Sequence, residues 1–426
     1  MLYRQHPVRI MPTSTAVIAL TGKPLYTLTA MLLLAFAAVV AMPFNISGIV
    51  QSFAISNSTA GLIASVELGA ISVASLLVAR LAGSLSPRRI YAVGISAILI
   101  ANALTVLAAD VAVLMVLRAI AGLGAGSVTA TVMFTAGKSS DPERTFGVIN
   151  SFVGIMGMAM ALLLPQALLL HQVFGAGHLQ AVDGLYLTYV AAAVAALLLI
   201  RSVPVPPPVT TGTAAEGAST DLSAMTGGAE SALVRPAPLI GWVALWGLGI
   251  VFFGHGTLGI YIVELGRSTG LSAQAIGNTF AAGSLIGIGA PLLGGLIGAR
   301  FRAALPISVI LAAVAVFAVL LAHTESPLGF YVLAPLFSVG PMMMIPLALG
   351  VMARIDRSGR LTGSHPAFVT LGGAIAPIAG GALRDMSGGF ALTGWFVAAC
   401  LLLGFLLMTA AIRAADRSRV STTSGV

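Results

Sequence analysis

GLYLTYVAAAVAALLLIR (184–201), SVPVPPPVTTGTAAEGASTDLSAMTGGAESALVRPAP (202–238) and LIGWVALWGLGIVFFGHGTLGIYIV (239–263) follow one another along the chain. Each flanking stretch is apolar for about the 20 residues that a helix needs to cross the hydrocarbon core of a bilayer. The middle one opens with Pro204, Pro206, Pro207 and Pro208. It continues in Gly, Ala, Ser and Thr with Glu216, Asp221 and Glu230. Such a composition buries no core and reads as a flexible linker between two membrane-embedded halves.

Outward from this junction, apolar runs bounded by charges and turn residues recur on both sides. Six precede the linker, at 27–50, 59–82, 90–109, 111–137, 146–170 and 184–201. Six follow it, at 239–263, 272–299, 304–322, 328–352, 363–383 and 390–412. The expected fold is an all-α membrane protein of twelve transmembrane helices in two pseudo-symmetric six-helix bundles. The bundles cover 24–201 and 239–412. A cytoplasmic tail (1–23), the cytoplasmic linker (202–238) and a second cytoplasmic tail (413–426) complete the chain.

Composition agrees. The chain is 58% hydrophobic and only 8% charged, with a mean hydropathy of +1.03. A water-soluble surface needs more charge than this. The net charge of +8 does not indicate nucleic-acid binding, because the basic residues are spread between apolar runs and form no basic face. With the amino terminus inside, inner segments hold 18 of the 21 Lys and Arg, outer ones hold Arg267 and Arg384, and Arg118 remains within a helix. That asymmetry places both termini in the cytoplasm. Lysine is limited to Lys23 and Lys138, which suggests a GC-rich bacterial genome and hence the inner (plasma) membrane.

The halves echo one another. Arg144-Thr-Phe-Gly147 with Phe152 matches Arg360-Leu-Thr-Gly363 with Phe368 at an offset of 216. Asp141 and Asp356, and the segments 79–83 and 294–298, match at an offset of 215.

At this point the chain resembles the major facilitator superfamily of secondary transporters, over about residues 24–412. In the fourth helix, Arg118-Ala-Ile-Ala-Gly122-Leu-Gly124-Ala-Gly126 is similar to the family's intramembrane Arg-and-glycine motif. In the eleventh, Gly372-Gly-Ala-Ile-Ala376-Pro377-Ile-Ala-Gly380-Gly381 resembles the glycine-proline motif of antiporters, with Ala376 where Gly is usual. The loop after the second helix departs from the family pattern. It keeps Arg80, Arg88 and Arg89 but has Gly83, Ser84, Leu85 and Ser86 where an acid is expected. The resemblance implies alternating access, a cavity lined by helices one, four, seven and ten, and gating by the glycines named above. The helix-eleven motif tips the expected direction toward efflux over uptake.

Charge inside a membrane is costly and marks candidate sites. Glu67 and Arg118 lie eight and seven residues into their helices from the outer end. At ~1.5 Å per residue both sit roughly 10–12 Å deep, at matching depth for a pair. They either fix packing by neutralising one another or handle substrate charge and a proton. Arg118 is a permanent cation for an anionic group, and Glu67 is the leading proton carrier. His255, between Gly254 and Gly256 in the seventh helix, is the second candidate, against a plain core role. Glu264 and Arg267 end that helix, where reaching out to water explains them. The cavity-lining expectation adds Asn45, Trp246 and Tyr261.

Other motifs fail. Gly137-Lys138-Ser139 ends a helix and has Val132 where a phosphate loop needs its first glycine. The single Cys400 offers neither disulfide nor thiol metal site. No metal, cofactor, nucleic acid or enzymatic activity is expected. The expectation is a monomeric, proton-coupled carrier of a small organic solute. A ligand sensor and an intramembrane lipid-modifying enzyme are the alternatives.

Overall fold

The computed structural model describes residues 20–81, 86–137, 139, 142–173, 179–204, 239–355 and 360–423. The first crossing is built of two helices, Lys23–Val40 and Met42–Phe53. Asn57–Leu81, Pro87–Thr105, Val111–Gly137, Pro142–Ala167 and Asp183–Leu199 form the second to sixth. The seventh is again double, Leu239–Gly259 and Ile262–Ser268. Ala273–Arg300, Ala304–Ala322, Pro327–Ile355, Arg360–Ser387 and Ala391–Thr423 form the eighth to twelfth. Among the described residues, ten stretches are apolar and long enough to span a bilayer by themselves. The third and fifth crossings complete the twelve. Arg88 and Arg89 open the third, and only 151–167 of the fifth is apolar.

The expected spans correspond one to one with these crossings. The two double crossings differ from the unbroken helices expected there. Pro43 lacks the N–H that a continuous helix would use, so the chain restarts at Met42. The twelfth crossing runs about one polar segment further than expected, to Thr423. The linker expectation falls on residues 205–238, outside the described residues.

Internal symmetry is visible in the packing. In the first half the second crossing packs on the fourth, the third on the fourth and sixth, and the first on the fourth, fifth and sixth. Adding six to each number gives the packing of the second half: eighth on tenth, ninth on tenth and twelfth, seventh on tenth, eleventh and twelfth. The halves meet through second against eleventh and fifth against eighth, a set that maps onto itself. Helices in a bilayer gain little from apolar burial against one another, so close approach depends on small residues. A Cβ on Gly122 would meet the Glu67 carbonyl, and one on Gly126 the Ile71 carbonyl. These two glycines bring the fourth crossing against the second, and so bring Arg118 to Glu67.

Candidate functional site

The polar centre of the first half starts from that helix pair. Arg118 and Glu67 are 1% and 3% exposed. Arg118 Nη1 donates to Glu67 Oε1 at 3.4 Å, in agreement with the depth arithmetic. Arg118 Nη2 donates to Thr105 Oγ1 at 2.7 Å. The guanidinium carbon lies 4.4 Å from the centre of the Tyr186 ring, a cation–π contact. Tyr189, one turn along the sixth crossing, donates to Asn45 Oδ1 at 3.0 Å. All of these side chains belong to one half. Arg118 is held between the second, third, fourth and sixth crossings. Asn45 is buried in the same bundle.

Tyr186, Tyr189 and Thr105 were not singled out from the sequence. A signal existed: two tyrosines three apart on an otherwise apolar helix lie on one face and need a polar partner.

The other candidates fall elsewhere. His255 stacks on Phe337 of the tenth crossing, with ring centres 4.3 Å apart, and its Nε2 lies 3.3 Å from the Phe337 carbonyl. It joins two crossings of the second half. Trp246 is 55% exposed and packs edge-on against Phe368 of the eleventh crossing. Tyr261 is buried where the halves meet, with its hydroxyl 2.8 Å from the Asn57 carbonyl and 2.9 Å from the Pro377 carbonyl.

Tyr261 is one member of a contact zone at the end of the molecule opposite the linker. Asp385 of the eleventh crossing accepts from the backbone N–H groups of Asn57 and Ser58, at 3.2 and 2.8 Å, and from Asn57 Nδ2 at 3.1 Å. One half thus caps the first helical turn of the other, where N–H groups lack helical partners. Ser47 donates to Glu264 at 2.5 Å. Glu264, expected to reach for water, is drawn across the interface by that hydroxyl. Gln166 donates to Gln274 at 2.6 Å. Of the motif glycines in the eleventh crossing, a Cβ on Gly380 would meet the Thr257 carbonyl and the Tyr261 ring. One on Gly381 would meet the Asn57 carbonyl, and one on Gly372 the Gly249 carbonyl. Gly124 stands in the same relation to the Gly94 carbonyl.

A cavity of about 170 Å³ lies between the eighth and tenth crossings, lined by Thr279, Phe280, Ser284, Phe330, Ser338 and Met342 among others. Phe280 faces Phe44 of the first crossing at a ring separation of 6.0 Å. No cluster of metal-ligating side chains occurs among the described residues.

Two like six-helix bundles, joined at one end and flanking a shared centre, define a membrane-transporter fold. The family model described as Major Facilitator Superfamily matches residues 27–363, and the chain belongs to that family. No curated protein matches it. Among solved structures it is similar to a bacterial homologue of the human lysosomal transporter Spinster in an inward-facing and occupied conformation. That match has a TM-score of 0.66 and 14% identity, covering 93% of this chain and 96% of that one. It is also similar to tetrameric PepTSo2, with a TM-score of 0.64 and 13% identity over 94% of this chain and 98% of that one. The transporter FucP in its outward conformation gives a TM-score of 0.56 and 18% identity over 91% and 98%.

Proposed function

We infer that the protein is a secondary active transporter that moves a small organic solute by alternating access. The observation that carries this reading is the uneven contact between the halves. Among the described residues they are hydrogen-bonded at the end remote from the linker, while midway along the second and eleventh crossings an added Cβ on Gly69 or Gly373 meets nothing within 4 Å. A symmetric pair of bundles that closes at one end exposes its centre at the other, and rocking reverses the exposure. Membership of a transporter family supports the reading over the enzymatic alternative.

Proton coupling is the energy source in this account, with Glu67 as the carrier and Arg118 as the fixed cation that sets its charge state. The burial of both, and the absence of any other ion-pair partner for either among the described residues, support that assignment. The loop charge asymmetry supports cytoplasmic termini in a bacterial inner membrane. The linker end is then the cytoplasmic end, and the conformation is open to the inside. Efflux rests on the glycine-proline motif of the eleventh crossing.

The test is solute-evoked proton movement in proteoliposomes loaded with a pH dye. The parent releases protons when a transported solute is added, and Glu67→Gln does not. A parent protein that binds the solute but moves neither solute nor proton would be a sensor. Topology is checked with a cysteine at Ser219 in a variant lacking Cys400. An impermeant thiol reagent leaves it unlabelled in intact cells and labels it after lysis.

A further inference from the structure

We propose that the cavity between the eighth and tenth crossings is the solute site, and that it takes an uncharged, single-ring molecule carrying an N–H or O–H donor. The proposal rests on the transporter reading above and names the substrate class for it.

Position comes first. The cavity lies at the junction of the halves. Its Phe280 ring packs against Phe44 of the first crossing. A Cβ on Gly157 of the fifth crossing would come to 3.9 Å from the Ser284 hydroxyl. Its Phe330 sits against Gly266 of the seventh crossing, inside the zone that closes the far end. The lining itself belongs to the second half, and the first half backs it through Phe44 and Gly157.

Size follows from the volume. About 170 Å³ is the size class of a cavity that holds one benzene ring, ~150 Å³. Phe280, Phe330 and Met342 give the walls for a flat apolar ring.

Charge is excluded by the lining, which contains no ionisable side chain. A charged solute would lose its hydration without gaining a counter-ion, at a cost of several kcal/mol. Arg118, the permanent cation at membrane depth, is already held by Glu67, Thr105 and Tyr186 in the other half.

The donor requirement comes from the hydroxyls. Thr279 Oγ1 gives its hydrogen to the Ala275 carbonyl and Ser338 Oγ gives its hydrogen to the Ala334 carbonyl, each at 2.9 Å. With those hydrogens engaged, both oxygens offer the cavity acceptors, while the Ser284 hydroxyl can donate or accept. A solute that brings its own hydrogen satisfies Thr279 and Ser338; an ether or ketone of the same shape reaches only Ser284.

The experiment uses the purified full chain in nanodiscs and four probes: phenol, anisole, benzoate and benzylammonium. Phenol is expected to bind saturably by calorimetry, anisole at least tenfold more weakly, and the two ions without saturation. Gly287→Leu fills the cavity from a position where an added Cβ meets nothing within 4 Å. It should keep the parent's thermal midpoint without ligand and lose phenol binding. Ser338→Ala should bring phenol down toward anisole. Tighter binding of either ion than of phenol overturns the class. So does equal binding of anisole and phenol, or phenol binding untouched by both variants. Spin labels at the two ends of the molecule separate this from the transport reading. If phenol binds and neither end changes its spacing, the site stands and transport falls. If the ends alternate and phenol does not bind, the site falls and transport stands.

Discussion

The second and eleventh crossings run side by side across the interface between the halves, and their two ends are packed differently. At the far end, Gly61 abuts the Pro377 carbonyl and Gly381 abuts the Asn57 carbonyl, with Asp385 capping Asn57 and Ser58. Eight residues along the second crossing, an added Cβ on Gly69 meets nothing within 4 Å, and the same holds for Gly373 on the eleventh. This helix pair is thus in backbone contact at the far end, and its glycines stand clear of any neighbour by mid-helix. The charge pair Glu67–Arg118 belongs to neither end. The partners of Arg118 here, Glu67, Thr105 and Tyr186, all lie in one half.

That contrast can be broken in graded steps. The largest effect is expected inside the first half. Glu67→Gln or Arg118→Gln alone leaves a buried group without its counterpart, at a cost of about 3–5 kcal/mol. Yield and thermal midpoint should fall sharply in each single variant and recover in the double. If the pair only fixes packing, transport recovers with folding; if it carries the proton, gradient-driven transport stays lost while solute exchange survives.

Next come the glycines. Gly61→Leu and Gly381→Leu place a side chain into backbone of the other half and should hold the far end apart. Gly380→Leu wedges instead against Thr257 and Tyr261 within the second half, and Gly69→Leu meets no neighbour there. Thiol accessibility at far-end positions should rise most in the first two and least in Gly69→Leu. Equal accessibility in all four would remove these glycines from the gate.

Asp385→Asn is milder. It weakens an exposed cap by about 1 kcal/mol, roughly a fivefold shift toward the far-end-open form. Tyr261→Phe is the smallest step. One phenol hydrogen serves two carbonyls, so its loss costs ~0.5–1.5 kcal/mol. The two together should add if the far end acts as one latch made of separate contacts.

Much of this was readable before any coordinates. Apolar runs and loop charge are consequences of the bilayer as solvent, so they mark twelve crossings without tertiary information. Depth arithmetic brought Glu67 to Arg118 because both sit on regular helices of known rise. The far-end contacts were not readable. Asp385 and Glu264 look like ordinary charges at helix ends, and only the approach of the opposite half turns them into a cap and an acceptor. Asn45 and Tyr261 illustrate the same point. Their polarity marked them as important, but which neighbour takes their hydrogen bonds depends on how distant crossings pack together, within a bundle for Asn45 and both within and between bundles for Tyr261. The breaks in the first and seventh crossings were half visible, since Pro43 is in the sequence while the restart at Ile262 has no proline to announce it.

The central claim is that the two ends open in opposite phase. Spin labels at Ser56 and Met386 report the far end, and a second pair at Leu76 and Ala367 reports the linker end, in a variant lacking Cys400. Pulsed electron-resonance distances are then compared between this background and Asp385→Asn. The far-end distance should lengthen in the Asp385 variant while the linker-end distance shortens in the same proportion of molecules. Distances that lengthen together, or a far end that opens with the linker end unchanged, would contradict it.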